Sequence, residues 1–456
     1  MNRDSKIKLS FLLTILLLTV FCFNTQVMHL GTLPLKKKII VGETLDLGFE
    51  SNKFLQALEV DIQPNNCSAL RNSKLTLSDT APIVTNPGKI NLSLKLFGII
   101  PLRNVTVDVV PEIKVIPGGQ SIGVMLHSQG VMVVGLAAVE DVHGRSFNPA
   151  REAGIKIGDV LLKVNGKKIK TENQLKDLVA QAGHNNKPVI MNVKRKNEEI
   201  SFKVTPVYCD ETKSYRLGLL IRDSAAGVGT LTFYHPDSRI YGALGHVITD
   251  TESGKKIDLS DGRIFEASIQ DIHPGKTGQP GEKIGMLQNA NNLNGNILKN
   301  TPYGIFGEIS KPIKNPYFKQ LIPVALPSQV KEGPAEIITV LKGNTMERFK
   351  IKIEEVTRQS KPHGKGMIIK ITDPKLLQVT GGIIQGMSGS PIIQYTNEGQ
   401  PVLVGAVTHV FINDPTRGYG VLAEWMIEEM ETLSKETGSI LQKKRDVQTI
   451  GHHNAA

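Results

Sequence analysis

The run Gly386-Met387-Ser388-Gly389-Ser390-Pro391 constrains this chain more than any other feature. Glycines on both sides of Ser388 let the backbone make a tight turn that exposes a hydroxyl. They also aim the N–H groups of Gly386 and Ser388 at one point, where negative charge on an oxygen can be held. Apolar residues then resume at Ile392-Ile393, and a second apolar strand follows at Val402-Leu403-Val404-Gly405-Ala406-Val407. A serine hydroxyl is a weak nucleophile without a neighbouring base. The upstream run Ala243-Leu244-Gly245-His246-Val247-Ile248, which ends a strand-like segment, supplies one in His246. Ser390 competes as nucleophile and His409 as base.

A length of 456 residues suggests about three domains. The 40% hydrophobic and 21% charged fractions are those of a folded globular protein. Forty-three glycines and 24 prolines, spread along the chain, indicate many turns and short strands. The net charge of +11 is scattered, with no zinc finger, RNP signature or helix-turn-helix, so no nucleic-acid partner is expected. Of three cysteines, Cys22 lies in the N-terminal apolar run, and spacing alone does not support pairing Cys67 with Cys209. No metal or redox motif is present in the sequence, and neither metal nor cofactor is expected.

Arg3, Lys6 and Lys8 precede the apolar run Ser10 to Phe23, the pattern of an export signal without a small-residue cleavage site. Residues 1–35 therefore read as a signal or membrane anchor, and the body of the chain as exported. Residues 36–112 alternate short β-like runs with turns and read as a small β domain. Within 117–207, Ala153-Gly154-Ile155-Lys156-Ile157-Gly158-Asp159-Val160-Leu161-Leu162-Lys163-Val164-Asn165-Gly166 precedes an amphipathic helix with Leu175, Leu178 and Val179. Together with Ser121-Ile122-Gly123-Val124 this resembles a PDZ domain of the bacterial protease type. That likeness implies an α+β module whose Ser121–Val124 loop cradles a peptide terminus beside an apolar groove. A PDZ domain that only packs against its neighbour is the alternative.

The turn around Ser388, with histidine first and serine last in the chain, resembles the chymotrypsin class. In that class His409 would fall on the wall of the substrate pocket. The expected fold is mainly β: a chymotrypsin-like double β-barrel over 215–436, preceded by the PDZ and small β domains and followed by a tail at 437–456. Glu424 to Lys435 reads as a closing helix. The full set of features, including Thr408-His409-Val410-Phe411-Ile412-Asn413-Asp414-Pro415, resembles the stage IV sporulation protein B peptidases. The resemblance implies a Gram-positive spore former whose forespore exports the enzyme into the space between its two membranes. There the family cuts itself and a regulator of an intramembrane protease, and a sigma factor is activated. The alternative function is a non-catalytic PDZ adaptor with a decayed protease domain.

A chymotrypsin-like base needs an acid to hold its tautomer. Asp250, Asp258, Asp261 and Asp271 all lie in a turn-rich stretch after His246, and the next aspartate is Asp373, at the end of an apolar strand. Asp373 is the expected orienting acid. The competing readings are that Asp373-Pro374 opens a turn, and that His246 and Ser388 form a dyad oriented by backbone.

Overall fold

In the computed structural model, the described residues are Thr14, 35–45, 58–65, 74–76, 83–96, 99–196, 198–250, 254–287, 293–357, 359 and 362–453. The expected signal or anchor at 1–35 lies outside them but for Thr14 and Leu35, as do Cys22 and Cys67. Among the described residues no helix is long and apolar enough to cross a membrane. Two compact units divide the chain, Met1–Ile113 and Lys114–Ala456.

The first unit holds a five-stranded sheet in the order Lys36–Ile40, Ile100–Val110, Gly88–Leu96, Leu58–Asn65, Lys74–Thr76. Its first pair is parallel and the others antiparallel. Alternation places Ile90, Leu92 and Leu94 on one buried face with Val105, Val107 and Val109 of the neighbouring strand.

The second unit is organised by two long strands, β1 (Ser121–Leu136) and, after helix α1 (Glu172–His184), β2 (Leu219–His235). These pair antiparallel from Leu219↔Leu136 to Thr230↔Ser121. The distal half of β1 also pairs with Val160–Val164, and the sheet continues through Val189–Arg195 to Glu198–Val204. Against it packs α1 by Leu175, Val179 and Ala182. Thr171 caps that helix by accepting the Gln174 N–H at 3.4 Å. The Gly158-Asp159 pair of the sequence signature has a structural role here. Asp159 is 1% exposed and takes two charge-assisted bonds from Arg195, at 2.8 and 2.7 Å.

The proximal half of β1 belongs to the next layer. It lies between β2 and β3 (Leu259–His273), which carries the edge strand β4 (Glu282–Leu287). Instead of the first of two barrels, this half forms an open half-barrel within a 14-stranded sheet shared with the PDZ module. Closure is prevented because β1 and β2 run on into that module. The second barrel is closed, in the order β5 (Gly333–Lys342), β6 (Thr345–Val356), β7 (Met367–Ile371), β10 (Asp414–Leu422), β9 (Pro401–Phe411), β8 (Pro391–Tyr395). Helix α2 (Pro374–Thr380) follows β7. A final helix, α3 (Ala423–His453), buries Trp425, Met426, Ile427, Met430 and Leu433, and runs through the segment where the sequence suggested a tail.

The expected peptide-binding loop is overturned by this architecture. Ser121, Ile122, Gly123 and Val124 lie inside a continuous strand with β2 on one side and β3 on the other, so no backbone edge is left for a peptide. Ser121 is 2% exposed and Ile122 is fully covered. A Cβ on Gly123 would run into Leu287 Cδ2. Because Leu287 is 44% exposed and its end can turn aside, Gly123→Val should cost less than about 1 kcal/mol of stability and change no peptide binding. Urea unfolding and peptide titration of the variant would measure this, and a lost peptide affinity in a folded variant would refute it.

Candidate active site

Ser388 sits in a turn whose shape only glycine permits. Gly386 and Gly389 both have φ of +91°, in the region L side chains rarely adopt. A Cβ on Gly389 would collide with the Thr230 carbonyl and the Leu244 nitrogen. The turn closes on itself through Met387 N–H to Ile384 O, 3.1 Å, and Ser390 N–H to Met387 O, 2.9 Å. Val407 on β9 secures it from the barrel side, where its carbonyl takes the Gly389 N–H at 2.7 Å and its own N–H reaches Ser390 O at 3.0 Å.

Strand β2 of the half-barrel secures the other side. Thr230 N–H donates to Ser388 O at 2.9 Å, Thr230 Oγ1 to Gly386 O at 2.8 Å, and Thr232 Oγ1 to Gly389 O at 2.8 Å. Both threonines are fully buried, and the sequence reading did not single them out. With these carbonyls held, the N–H groups of Gly386 and Ser388 have no intrachain partner among the described residues. Ser388 Oγ donates to the Thr408 carbonyl at 2.9 Å, on β9. Ser390, the competing nucleophile, is fully buried.

His246 follows two consecutive left-handed residues, Leu244 (φ 69°) and Gly245 (φ 71°). A Cβ on Gly245 would stand 2.9 Å from Thr408 Cγ2, so this turn and the nucleophile's strand are in close approach. His246 Nδ1 lies 2.8 Å from the Val247 carbonyl. A carbonyl only accepts, so Nδ1 carries the proton and Nε2 is left with its lone pair, the tautomer a general base requires. Asn300, 4% exposed, fixes the chain beyond: it accepts the Ile248 N–H at 2.8 Å and donates to Ile248 O at 2.9 Å. Burial lowers the His246 pKa, and the bond to Val247 offsets part of that. The His409 ring lies 5.1 Å from that of His246. Partial burial and the neighbouring His246 and Lys365 push His409 down to about 4.

The expected acid is not part of this arrangement. Asp373 is the N-cap of α2: its Oδ1 accepts the Leu376 N–H at 3.1 Å and its Oδ2 the Lys350 N–H at 3.3 Å. Both oxygens are thus spent on backbone, and the turn-opening role of Asp before Pro prevails. The carboxylates after His246 are also engaged elsewhere. Asp250 pairs with Arg222 at 3.1 Å, Asp258 with Lys194 at 2.8 Å and Asp261 with His127 at 2.9 Å, while Asp271 takes the Ile272 N–H at 2.8 Å. Among the described residues, His246 makes one hydrogen bond, from Nδ1–H to Val247 O, the backbone-oriented arrangement.

Residues 213–427 match the family described as SpoIVB peptidase S55, and residues 121–205 match the PDZ domain. The chain thus carries a SpoIVB-type serine peptidase domain over 213–427 behind a PDZ domain over 121–205. Among solved structures, the active form of the Rv3671c protease from M. tuberculosis is 16% identical, with 45% of this chain and 74% of that chain covered at a TM-score of 0.25. The inactive form is also 16% identical, with 45% and 83% covered at a TM-score of 0.24. No curated protein matches the sequence.

Two outcomes follow for this peptidase. Asp373→Ala should lose about 1 kcal/mol of stability as a missing cap, yet react with a fluorophosphonate within about twofold of the parent rate, not the roughly 10⁴-fold loss of an orienting acid. Labelling kinetics on the folded variant distinguish the two. Because burial disfavours the imidazolium, the folded pKa of His246 lies below 6.5, so the neutral base persists as pH falls past that value. The acid limb of the labelling rate should therefore have its midpoint below pH 6.5, and a midpoint at or above it would contradict this assignment.

Proposed function

We propose that this peptidase is a membrane-associated endopeptidase that cleaves itself and a regulatory protein, using Ser388 as nucleophile and His246 as general base. The observation that carries the mechanism is the nucleophile turn, with its carbonyls tied back by Thr230 and Thr232 and its Gly386 and Ser388 N–H groups unpaired. When substrate arrives, the Ser388 hydroxyl turns from Thr408 O toward His246 Nε2. Its oxygen attacks the scissile carbonyl carbon while the proton passes to Nε2. The oxyanion takes the N–H groups of Gly386 and Ser388. His246 returns the proton to the leaving amine, and water, activated by the same nitrogen, hydrolyses the acyl-enzyme. Val247 O holds Nδ1–H throughout and supports the transient imidazolium.

The biological setting we propose is the one its family implies. The enzyme is exported from a forespore, held at first by its N-terminal apolar segment, and acts between the two membranes of a developing spore. There it cuts a regulator of an intramembrane protease, and sigma factor activation follows. Self-cleavage is assigned to the polar stretch around 24–31, which follows the apolar run in the sequence.

The PDZ ligand, on this reading, is an extended peptide added to β2 at Leu219–Asp223 rather than to β1. In its favour, that segment pairs with β1 along one edge only among the described residues, and α1 lies alongside. The end of that stretch and the segment before it touch α1: Asp223 Oδ2 accepts the Glu172 N–H at 3.1 Å, and Tyr215 packs on Gly183 and His184.

A fluorophosphonate probe should label the wild-type protein and leave Ser388→Ala unlabelled, and mass spectrometry should find N-terminal fragments only in the former. Identical fragments in both proteins would exclude self-cleavage. Absence of labelling under all conditions would return the chain to the adaptor reading.

A further inference from the structure

Lys283 is a buried amine that the mechanism above does not use. It is the second residue of β4, 4% exposed, and lies against the loop that leads into the nucleophile turn. Its main-chain N–H donates to Gln385 O at 3.0 Å, and Gln385 N–H donates to Gly281 O at 2.8 Å. A trans peptide unit points its C=O and N–H in opposite directions. Holding Gln385 O toward β4 therefore turns the Gly386 N–H away from it, toward the oxyanion position. The side chain reinforces this placement. Its Cβ, Cγ and Cδ stand 3.1–3.2 Å from where a Cβ on Gly386 would be, so the lysine stem covers the face of Gly386 that has no side chain of its own.

Among the described residues the amine has a single partner, Thr339 Oγ1 on β5, at 2.6 Å. Thr339 is fully buried. An ammonium carries three donors and no acceptor, so a charged Lys283 would leave two N–H groups unsatisfied here. A neutral amine that accepts the threonine hydroxyl in a hydrogen bond also leaves two N–H groups unpaired, but it places no charge in the dry setting. The charged groups on the adjoining strands are exposed or half-buried and engaged elsewhere: Glu336 pairs with Arg348 at 3.5 Å and Glu266 accepts from Asn344 at 2.9 Å. Asp271 takes the Ile272 N–H, and His273 faces Glu282 at 3.4 Å. No carboxylate pairs with the amine among the described residues, and burial pushes its pKa down to about 7.

We propose that Lys283 is a positioning residue for the oxyanion-binding N–H groups, and that it works as an uncharged side chain wedged between Gly386 and Thr339. It touches no reacting atom. Its stem covers Gly386 while its main-chain N–H holds Gln385 O, so the peptide unit that carries the Gly386 N–H is kept from rotating away from the site. The inference rests on the assignment of Ser388 as nucleophile.

The test is fluorophosphonate labelling of the full chain, in which Ser388 Oγ bonds to phosphorus, fluoride leaves and the proton passes to His246. Lys283→Met, Lys283→Ala and Lys283→Arg are compared with the parent for kinact and KI. Met keeps the length without charge and should retain kinact to within about threefold, whereas Ala should lose about tenfold or more with KI little changed, as expected for a displaced oxyanion donor. Arg, permanently charged, should fall below Met. An Arg variant equal to or better than Met would overturn the proposal, as would an Ala variant labelling at the parental kinact. If Ala does not fold, the ranking of Met against Arg still decides. A parent protein that is not labelled at Ser388 would instead remove the nucleophile assignment itself.

Discussion

Two buried threonine hydroxyls, Thr230 and Thr232, hold the catalytic turn in shape from across the boundary between the two halves of the peptidase. A turn with two residues at φ of +91° is not self-sufficient. Its carbonyls must be satisfied in a dry setting, and leaving one unpaired costs about 1–3 kcal/mol. The threonines supply those partners from strand positions where their β-branched stems also suit the sheet. The N–H groups of the same peptide units, on Met387, Gly389 and Ser390, are taken by Ile384 O, Val407 O and Met387 O, so each unit is fixed at both ends. Val407 thus secures the turn from the closed barrel. The nucleophile turn is thus a joint between half-barrel and barrel, and its geometry exists only when both are in register.

The strand carrying those threonines also explains why the PDZ module is not a separate bead. β2 begins at Leu219 beside α1 and reaches Thr230 without a break in its pairing to β1, apart from two local shifts of register. Gly130 (φ 101°) marks the point on β1 where one half of the strand passes to the PDZ sheet and the other to the half-barrel. Sharing two strands removes a flexible linker and, with it, the closure of the first barrel. A strand is stiff along its length, so the edge at Leu219–Asp223 and the clamp at Thr230 are parts of one mechanical element.

What was legible in the sequence follows from how local each signal is. The turns that hold Ser388 and His246 could be read because their backbone requirements are written in adjacent glycines. The PDZ helix and its Gly-Asp signature were legible for the same reason. Asp373 misled because an aspartate before proline at a strand's end satisfies two descriptions, an orienting acid and a helix N-cap, and only the three-dimensional path separates them. Ser121-Ile122-Gly123-Val124 misled because a Φ-G-Φ triplet in an alternating apolar run looks alike in a binding loop and in a central strand. Thr230, Thr232, Asn300 and Lys283 gave no signal at all. Each is a polar residue in or beside a strand whose partner is distant in the chain, and sequence spacing does not encode such partners.

The backbone orientation of His246 shifts where the catalytic stabilisation must come from. A carboxylate partner would lower the energy of the imidazolium by direct charge pairing, whereas a carbonyl offers a dipole. Burial of the ring also disfavours its protonated form, and the nearby His409 and Lys365 add no negative charge. As the proposed base, His246 is therefore well oriented but weakly supported as a cation. The compensating contribution lies on the opposite side of the reaction, at the oxyanion, where preorganised N–H groups in a dry turn are most effective. That is the side on which the buried residues converge: Thr230 and Thr232 on the carbonyls, Lys283 on Gly386, and Val407 on Gly389. The fold invests its precision in the nucleophile turn and leaves the histidine to a single carbonyl.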